Sequence, residues 1–149
     1  MSEQSYSTLL TVKLDNEFFA LDAMQVGHIL EIPDITDVPN TPDFMQGIIN
    51  LHGNIVPVVD LRLMMGFEGK EYTADTAIVV VNPDDHQQSN LGLIVDMVKE
   101  VVEADDIELK PTVVDNDRGL LNSFQGTFSR DGAFVHVIDT EELTSAAEL

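Results

Sequence analysis

From residue 5 to residue 138 the chain is a succession of about ten short apolar runs divided by turn residues at fairly even spacing. No amphipathic stretch of about 10–15 residues intervenes, so βαβ units are excluded and an antiparallel β-sandwich or barrels are predicted. Residues 5–14 and 17–21 flank Asp15-Asn16, a hairpin turn. A run at 26–32 ends at Pro33-Asp34. Val38-Pro39-Asn40-Thr41-Pro42 reads as extended, with Thr41 placed to cap one helical turn opened by Pro42. Gly47-Ile-Ile-Asn-Leu-His-Gly53 and Asn54-Ile-Val-Pro-Val-Val-Asp60 read as strand, turn and strand. Asp60 is the expected N-cap of a short helix through Met65, stopped by Gly66.

Residues 66–72 and 82–90 read as loops. Runs at 77–81, 91–95 and 97–102 are rich in Val and Ile, as buried strands require. Residues 104–122 are mixed. A closing hairpin is predicted from 123–128 and 133–138 around a turn at 129–132, followed by a C-terminal helix from Glu141 with Thr140 as its cap.

Charge narrows the function. The 149 residues carry a formal net charge of −20, with 11 acids against 3 bases in residues 1–74 and 16 against 4 in residues 75–149. A field of that sign repels nucleic-acid backbones and anionic membranes. It suits solubility in a salty medium or a partner with basic contact patches. The chain has no cysteine, which excludes disulfides and thiolate chemistry. No apolar run nears the roughly 20 residues of a membrane span, and the N-terminus lacks signal-peptide regions; a cytoplasmic protein is predicted.

Catalytic and metal-binding patterns are weak. Gly66-Phe-Glu-Gly-Lys70 lacks the spacing and hydroxyl of a phosphate loop. Asp115-Asn-Asp-Arg-Gly119 hints at a calcium loop, but its twelfth position is Gly126. His28, His52, His86 and His136 never fall at short ligand spacings. His136 alternates with Phe134 and Ile138, which reads as a satisfied, semi-buried histidine. Ser123 and Ser129 show no nucleophile elbow. Asp60 and Asp96 each end an apolar run; capping or turn formation explains each more cheaply than an acid pair. A binding or scaffolding module is predicted, with no enzyme, cofactor or metal.

Several stretches together resemble the CheW family of chemotaxis coupling proteins. They are Phe18-Phe-Ala-Leu21, Val26-Gly-His-Ile-Leu-Glu31, Val38-Pro39 with Pro42-Asp-Phe44, Gly47-Ile-Ile-Asn-Leu-His-Gly53 and Ile55-Val-Pro-Val-Val-Asp-Leu-Arg62. Ile78-Val-Val-Val81, Gly92-Leu-Ile-Val-Asp96 with Val98, and a late hairpin at 128–139 continue the pattern in order. The resemblance covers residues 8–143. It implies one CheW-like domain over residues 1–149, all-β, made of two small five-stranded β-barrels packed together, with short helices including a C-terminal one.

The resemblance also implies a non-catalytic adaptor, cytoplasmic and associated with membrane-bound receptor arrays. Such adaptors couple the regulatory domain of a CheA-type histidine kinase to the cytoplasmic hairpin tip of a chemoreceptor (methyl-accepting chemotaxis protein), and pack against other CheW-like domains. Carried over by position, the receptor groove between the barrels comprises Val26, His28, Ile29, Asn50, His52, Gly53, Ala77, Gly92, Val98 and Val101. The alternatives are an auxiliary member serving a non-flagellar pathway such as pili, a member that binds the kinase without a receptor, and a small-molecule or metal-binding barrel. One departure stands out. The family turn reads Asn-Leu-Arg-Gly where this chain has Asn50-Leu51-His52-Gly53, and a common glutamate is replaced by His28. If the two positions face each other, an ion pair has become a histidine pair.

Overall fold

Turn chemistry sets where each strand stops. The computed structural model describes residues 6–83, 90–105, 107–111 and 124–147. Among the described residues there are ten strands: β1 (Thr8–Leu14), β2 (Glu17–Asp22), β3 (Val26–Glu31), β4 (Met45–Leu51), β5 (Asn54–Asp60), β6 (Ala77–Val81), β7 (Leu91–Val95), β8 (Met97–Glu103), β9 (Phe124–Arg130) and β10 (Ala133–Ile138). A 3₁₀ turn (Ala23–Gln25) and two helices, α1 (Leu61–Met64) and α2 (Thr140–Ala147), complete the elements. The hairpin turns carry positive φ at Asp15 (57°), His52 with Gly53 (53° and 87°), and Asp131 with Gly132 (52° and 81°). These are left-handed conformations that Asp, Asn and above all Gly adopt at low cost.

The strands form two five-stranded sheets, in the orders β8-β1-β2-β10-β9 and β3-β6-β7-β5-β4. Each curls into an open barrel whose two edges meet at one bridge. In the first, Lys110 beyond β8 pairs with Thr127 on β9; in the second, Thr36 beyond β3 pairs with Ile48 on β4. Alternation then fills three cores. Leu9, Ala20, Phe128, Val135 and Val137 point into the first barrel, and Ile49, Val56, Val58, Ile78, Val80 and Ile94 into the second. The other faces meet in a shared core that includes Leu10, Val12, Leu14, Phe19, Val59, Val79, Leu93 and Val95. Each such side chain contributes roughly 1.5–3 kcal/mol on burial, so this core is what joins the barrels.

The two barrels have the same topology, with the strand order of one a circular permutation of the other's. Residues 47–60 and 126–139 align without a gap as Gly-x₅-Gly-x₆-Asp, with five identical residues. Both begin at a glycine of positive φ (Gly47, 145°; Gly126, 152°) and turn at the second glycine. Both end in an aspartate that caps a helix: Asp60 accepts from the Arg62 amide, and Asp139 from those of Glu141 and Glu142.

Three expectations are corrected. The sheets are not purely antiparallel, because β5 runs parallel to β7 and β10 parallel to β2. Thr41 caps no helix: its hydroxyl donates back to the Val38 carbonyl, and Pro42–Met45 closes as a single turn. The cap of α2 is Asp139, one residue before Thr140, because a carboxylate can serve two helix amides at once. The Asp115–Gly119 loop, Ser123 and His86 lie outside the described residues.

Candidate functional site

β3 and the β4–β5 turn build one corner of the second barrel. Val26 pairs with Val81 and His28 with Val80, across a bulge that takes up the residue between them. At the turn, the Asn50 Oδ1 accepts from the Gly53 amide at 2.8 Å. Asn50 is therefore committed to holding His52 and Gly53 in their left-handed conformations. The result brings His28 and His52, both exposed, into ring contact, with centroids 5.7 Å apart and planes tilted by 48°. Positions 28 and 52, 24 residues apart in the chain, therefore face each other. Val26 lines the same shallow depression, with Met24, Gln25 and Asn54 around it.

The other expected site residues are placed differently. Ile29 is 49% exposed on β3, and Val101 is 61% exposed on β8. Val26 and Val98 are half-buried against the shared core, and so is Ala77. Ala77 pairs with Glu31 at the far end of β3 from Val26. Gly92 faces no open surface. A Cβ there would lie 3.0 Å from the Ile78 side chain and 3.2 Å from that of Val58, inside the second barrel. Its close approach is to its own barrel. Gly53 has open space around it, and its φ of 87° is the reason for glycine. The seam between the barrels is packed by the chain's own residues, so a partner can reach only its rim.

That rim is repeated. β3 and β8 are the corresponding edge strands of the two barrels, and each carries a bulge against its neighbour. Val26 on β3 matches Val98 on β8, and Ile29 matches Val101. Each edge thus presents one half-buried and one exposed aliphatic residue. Exposed Ile55 (60%) and Phe134 (72%) also match one another, as ninth residues of the two Gly-x₅-Gly-x₆-Asp segments. The sequence reading did not single out Ile55, Phe134 or Met24 (75% exposed) as surface residues; the repeated spacing was the available signal for the first two.

A second structure lies where β5 meets α1. Arg62, 2% exposed, donates from Nε and Nη2 to the two carboxylate oxygens of Asp60 at 2.9 and 2.8 Å, and from Nη1 to Asp96 at 2.9 Å. Asp96 also accepts from the Asp15 amide at the β1–β2 turn, and the Tyr72 ring covers the guanidinium at 5.6 Å. Hydrogen bonding to Asp60, more than offsetting burial, raises the Arg62 pKa still further. Asp60 and Asp96 are thus not an acid pair but two ends of an ionic clamp tying the barrels together. His136 is a satisfied ring: Nδ1 lies 2.8 Å from the Thr127 hydroxyl, against Phe19 and Phe124. Among the described residues no group of three metal-ligating side chains converges, and no helix is long and apolar enough to cross a membrane.

Residues 8–148 match the family model described as the CheW-like domain. The chain belongs to the CheW-like domain family. It is 29% identical over 140 residues to the chemotaxis protein CheW of Klebsiella aerogenes, covering 94% of this chain and 82% of that protein. Against the chemotaxis protein CheW of Thermotoga maritima it is 29% identical over 135 residues, covering 91% and 85%. The crystal structure of the scaffolding protein TtCheW from Thermoanaerobacter tengcongensis superposes with a TM-score of 0.75 at 32% identity, covering 90% of this chain and 89% of that one. These similarities place the chain among the non-catalytic scaffold proteins of chemotaxis.

Proposed function

We propose that this CheW-like chain couples a chemoreceptor to a CheA-type histidine kinase, docking the receptor's helical hairpin tip along the rim of the barrel seam. The observation that carries this reading is the repeated aliphatic edge, Val26 with Ile29 on β3 and Val98 with Val101 on β8. An amphipathic helix recognises such a strip through apolar anchors, and a hairpin offers two helices to two equivalent edges. The kinase's regulatory domain is assigned to other barrel surfaces, and no catalytic chemistry is needed for either contact.

Exposure dictates the variants for the test. Val26 and Val98 pack on the core, so charging them disturbs the fold as well as the rim. Ile29→Asp and Val101→Asp change only exposed positions. Both should keep the wild-type melting temperature, retain micromolar binding to the isolated kinase regulatory domain and lose binding to a receptor-hairpin fragment. Hairpin binding equal to wild type in both variants would refute the rim assignment. Absence of kinase binding by the wild-type chain would refute the coupling reading itself.

A further inference from the structure

The His28–His52 pair has a chemistry that an adaptor role does not use. The two residues lie 24 positions apart in the chain, yet their rings touch on an exposed corner. Neither imidazole makes a hydrogen bond to another described residue. This sets them apart from His136, whose Nδ1 is engaged by Thr127 and whose ring is enclosed by phenylalanines. Both backbones are fixed, one by pairing with Val80 on β6 and the other by a turn locked through Asn50. Two imidazoles on fixed backbone positions, with unengaged nitrogens and rings free to rotate, are a chelating arrangement.

We infer that His28 and His52 form a two-point binding site for an imidazole-preferring first-row transition metal ion, of the class of Zn²⁺, Ni²⁺ and Cu²⁺. The dimensions agree. Two imidazoles bound to one tetrahedral ion at about 2.0–2.1 Å place their ring centres roughly 5 Å apart. The observed 5.7 Å needs only a small side-chain rotation to reach that value. Among the described residues the polar side chains around the pair are amides, Gln25, Asn54, Asn82 and Asn90, with no lysine or arginine to repel the ion. The chain's −20 charge raises the local concentration of divalent ions. Imidazole is the donor these ions prefer over the hard oxygen ligands that suit Mg²⁺ and Ca²⁺. With two protein ligands, the remaining coordination positions open outward to water. This inference is independent of the docking reading, since it rests on the rings alone.

The test uses the untagged, chelator-stripped full chain, titrated with ZnCl₂ and with NiCl₂ at about pH 7.5, alongside His28→Ala, His52→Ala, the double variant and His86→Ala. Wild type and His86→Ala should bind one ion with micromolar affinity. His28→Ala and His52→Ala should each weaken binding by an order of magnitude or more while keeping the wild-type melting temperature. In an NMR titration, paramagnetic Ni²⁺ should broaden the His28 and His52 ring signals first. Equal binding by wild type and the double variant would assign the ions to surface carboxylates or to His86 and overturn the inference, as would the absence of any binding at millimolar metal.

Discussion

Gly47 and Gly126 hold the same position in two different barrels, each pressed against the segment that bridges its barrel's edges. A Cβ on Gly47 would overlap the Thr36 carbonyl oxygen and lie 2.8 Å from its carbon; on Gly126 it would lie 2.9 Å from the Leu109 Cβ and 3.1 Å from the Lys110 oxygen. The bridge that closes each barrel therefore needs a residue with no side chain. Gly47→Ala meets immovable backbone at a φ of 145°. Conformational strain and overpacking cost about 1–3 kcal/mol each. Gly47→Ala is expected to lose more stability than Gly126→Ala, where the added Cβ makes close contacts of 2.9 and 3.1 Å rather than an outright overlap with a carbonyl oxygen. Urea unfolding of the two variants measures the order, and the reverse order would mean the bridges are not what the glycines serve.

The Asp60–Arg62–Asp96 clamp predicts an asymmetry between variants. Arg62→Ala leaves Asp60, almost fully buried, without its cation, and breaking one side of a buried pair costs about 3–5 kcal/mol. For a chain of this size that is a fall of roughly 10 °C in melting temperature. Asp60→Asn keeps a capping side chain for α1 but not the charge facing the guanidinium, so it should also destabilise. In the Arg62→Met, Asp60→Asn, Asp96→Asn triple variant no uncompensated charge remains, and part of the loss should return. If Arg62→Ala melted like wild type, the clamp would have no structural weight.

Below neutrality, His136 gives stability a pH dependence of known sign. Burial lowers its pKa in the fold, with Glu17 opposing weakly. In the unfolded chain a histidine protonates near 6.5, so the unfolded state takes up its proton first as pH falls. Stability from this residue is fully present above about pH 6.5 and is lost as pH drops toward the lowered folded value. His136→Phe gives up the Thr127 contact at every pH but removes the slope. The stability difference between wild type and variant should therefore shrink between about pH 7.5 and 5.5. Parallel curves would clear His136 of any role in acid sensitivity.

Local chemistry made most of the fold legible in the sequence. Asp15-Asn16, His52-Gly53 and Asp131-Gly132 mark where three hairpins turn, and Asp60 with Gly66 bounds α1. Which strands become neighbours was not legible. In β6 and β7 every residue except Ala77 is buried, and an apolar run buried on both faces says nothing of which strand lies beside it. The parallel pairs β5–β7 and β2–β10 thus emerge only from the assembled sheets. Arg62 escaped notice because charged residues are ordinarily on the surface, and only the fold brings Asp96 within its reach. At the candidate site, resemblance predicted that positions 28 and 52 matter, and the structure joins them. Gly92 entered the expected groove through the resemblance, and only the fold shows that a Cβ there would meet Ile78 and Val58 of its own barrel.

Salt should stabilise this protein, and two opposing electrostatic effects decide the sign. Salt weakens the exposed pairs Lys70–Asp15 and Arg130–Glu100, but such pairs are worth about 0–1 kcal/mol each. It also screens the mutual repulsion behind a net charge of −20, in which 27 acidic residues face only 7 basic ones. At about 0.01 M salt the Debye length is roughly 30 Å, so most carboxylates on a domain of this size repel one another; at about 1 M it is roughly 3 Å and only near neighbours do. The repulsion involves many more charges than the pairs do and outweighs them. The buried Arg62 clamp is screened far less than either. Melting temperature should therefore rise steadily from low to molar NaCl at pH 7, and the destabilisation by Arg62→Ala should stay nearly constant across that range. A melting temperature that falls with salt would mean that the exposed ion pairs dominate the repulsion.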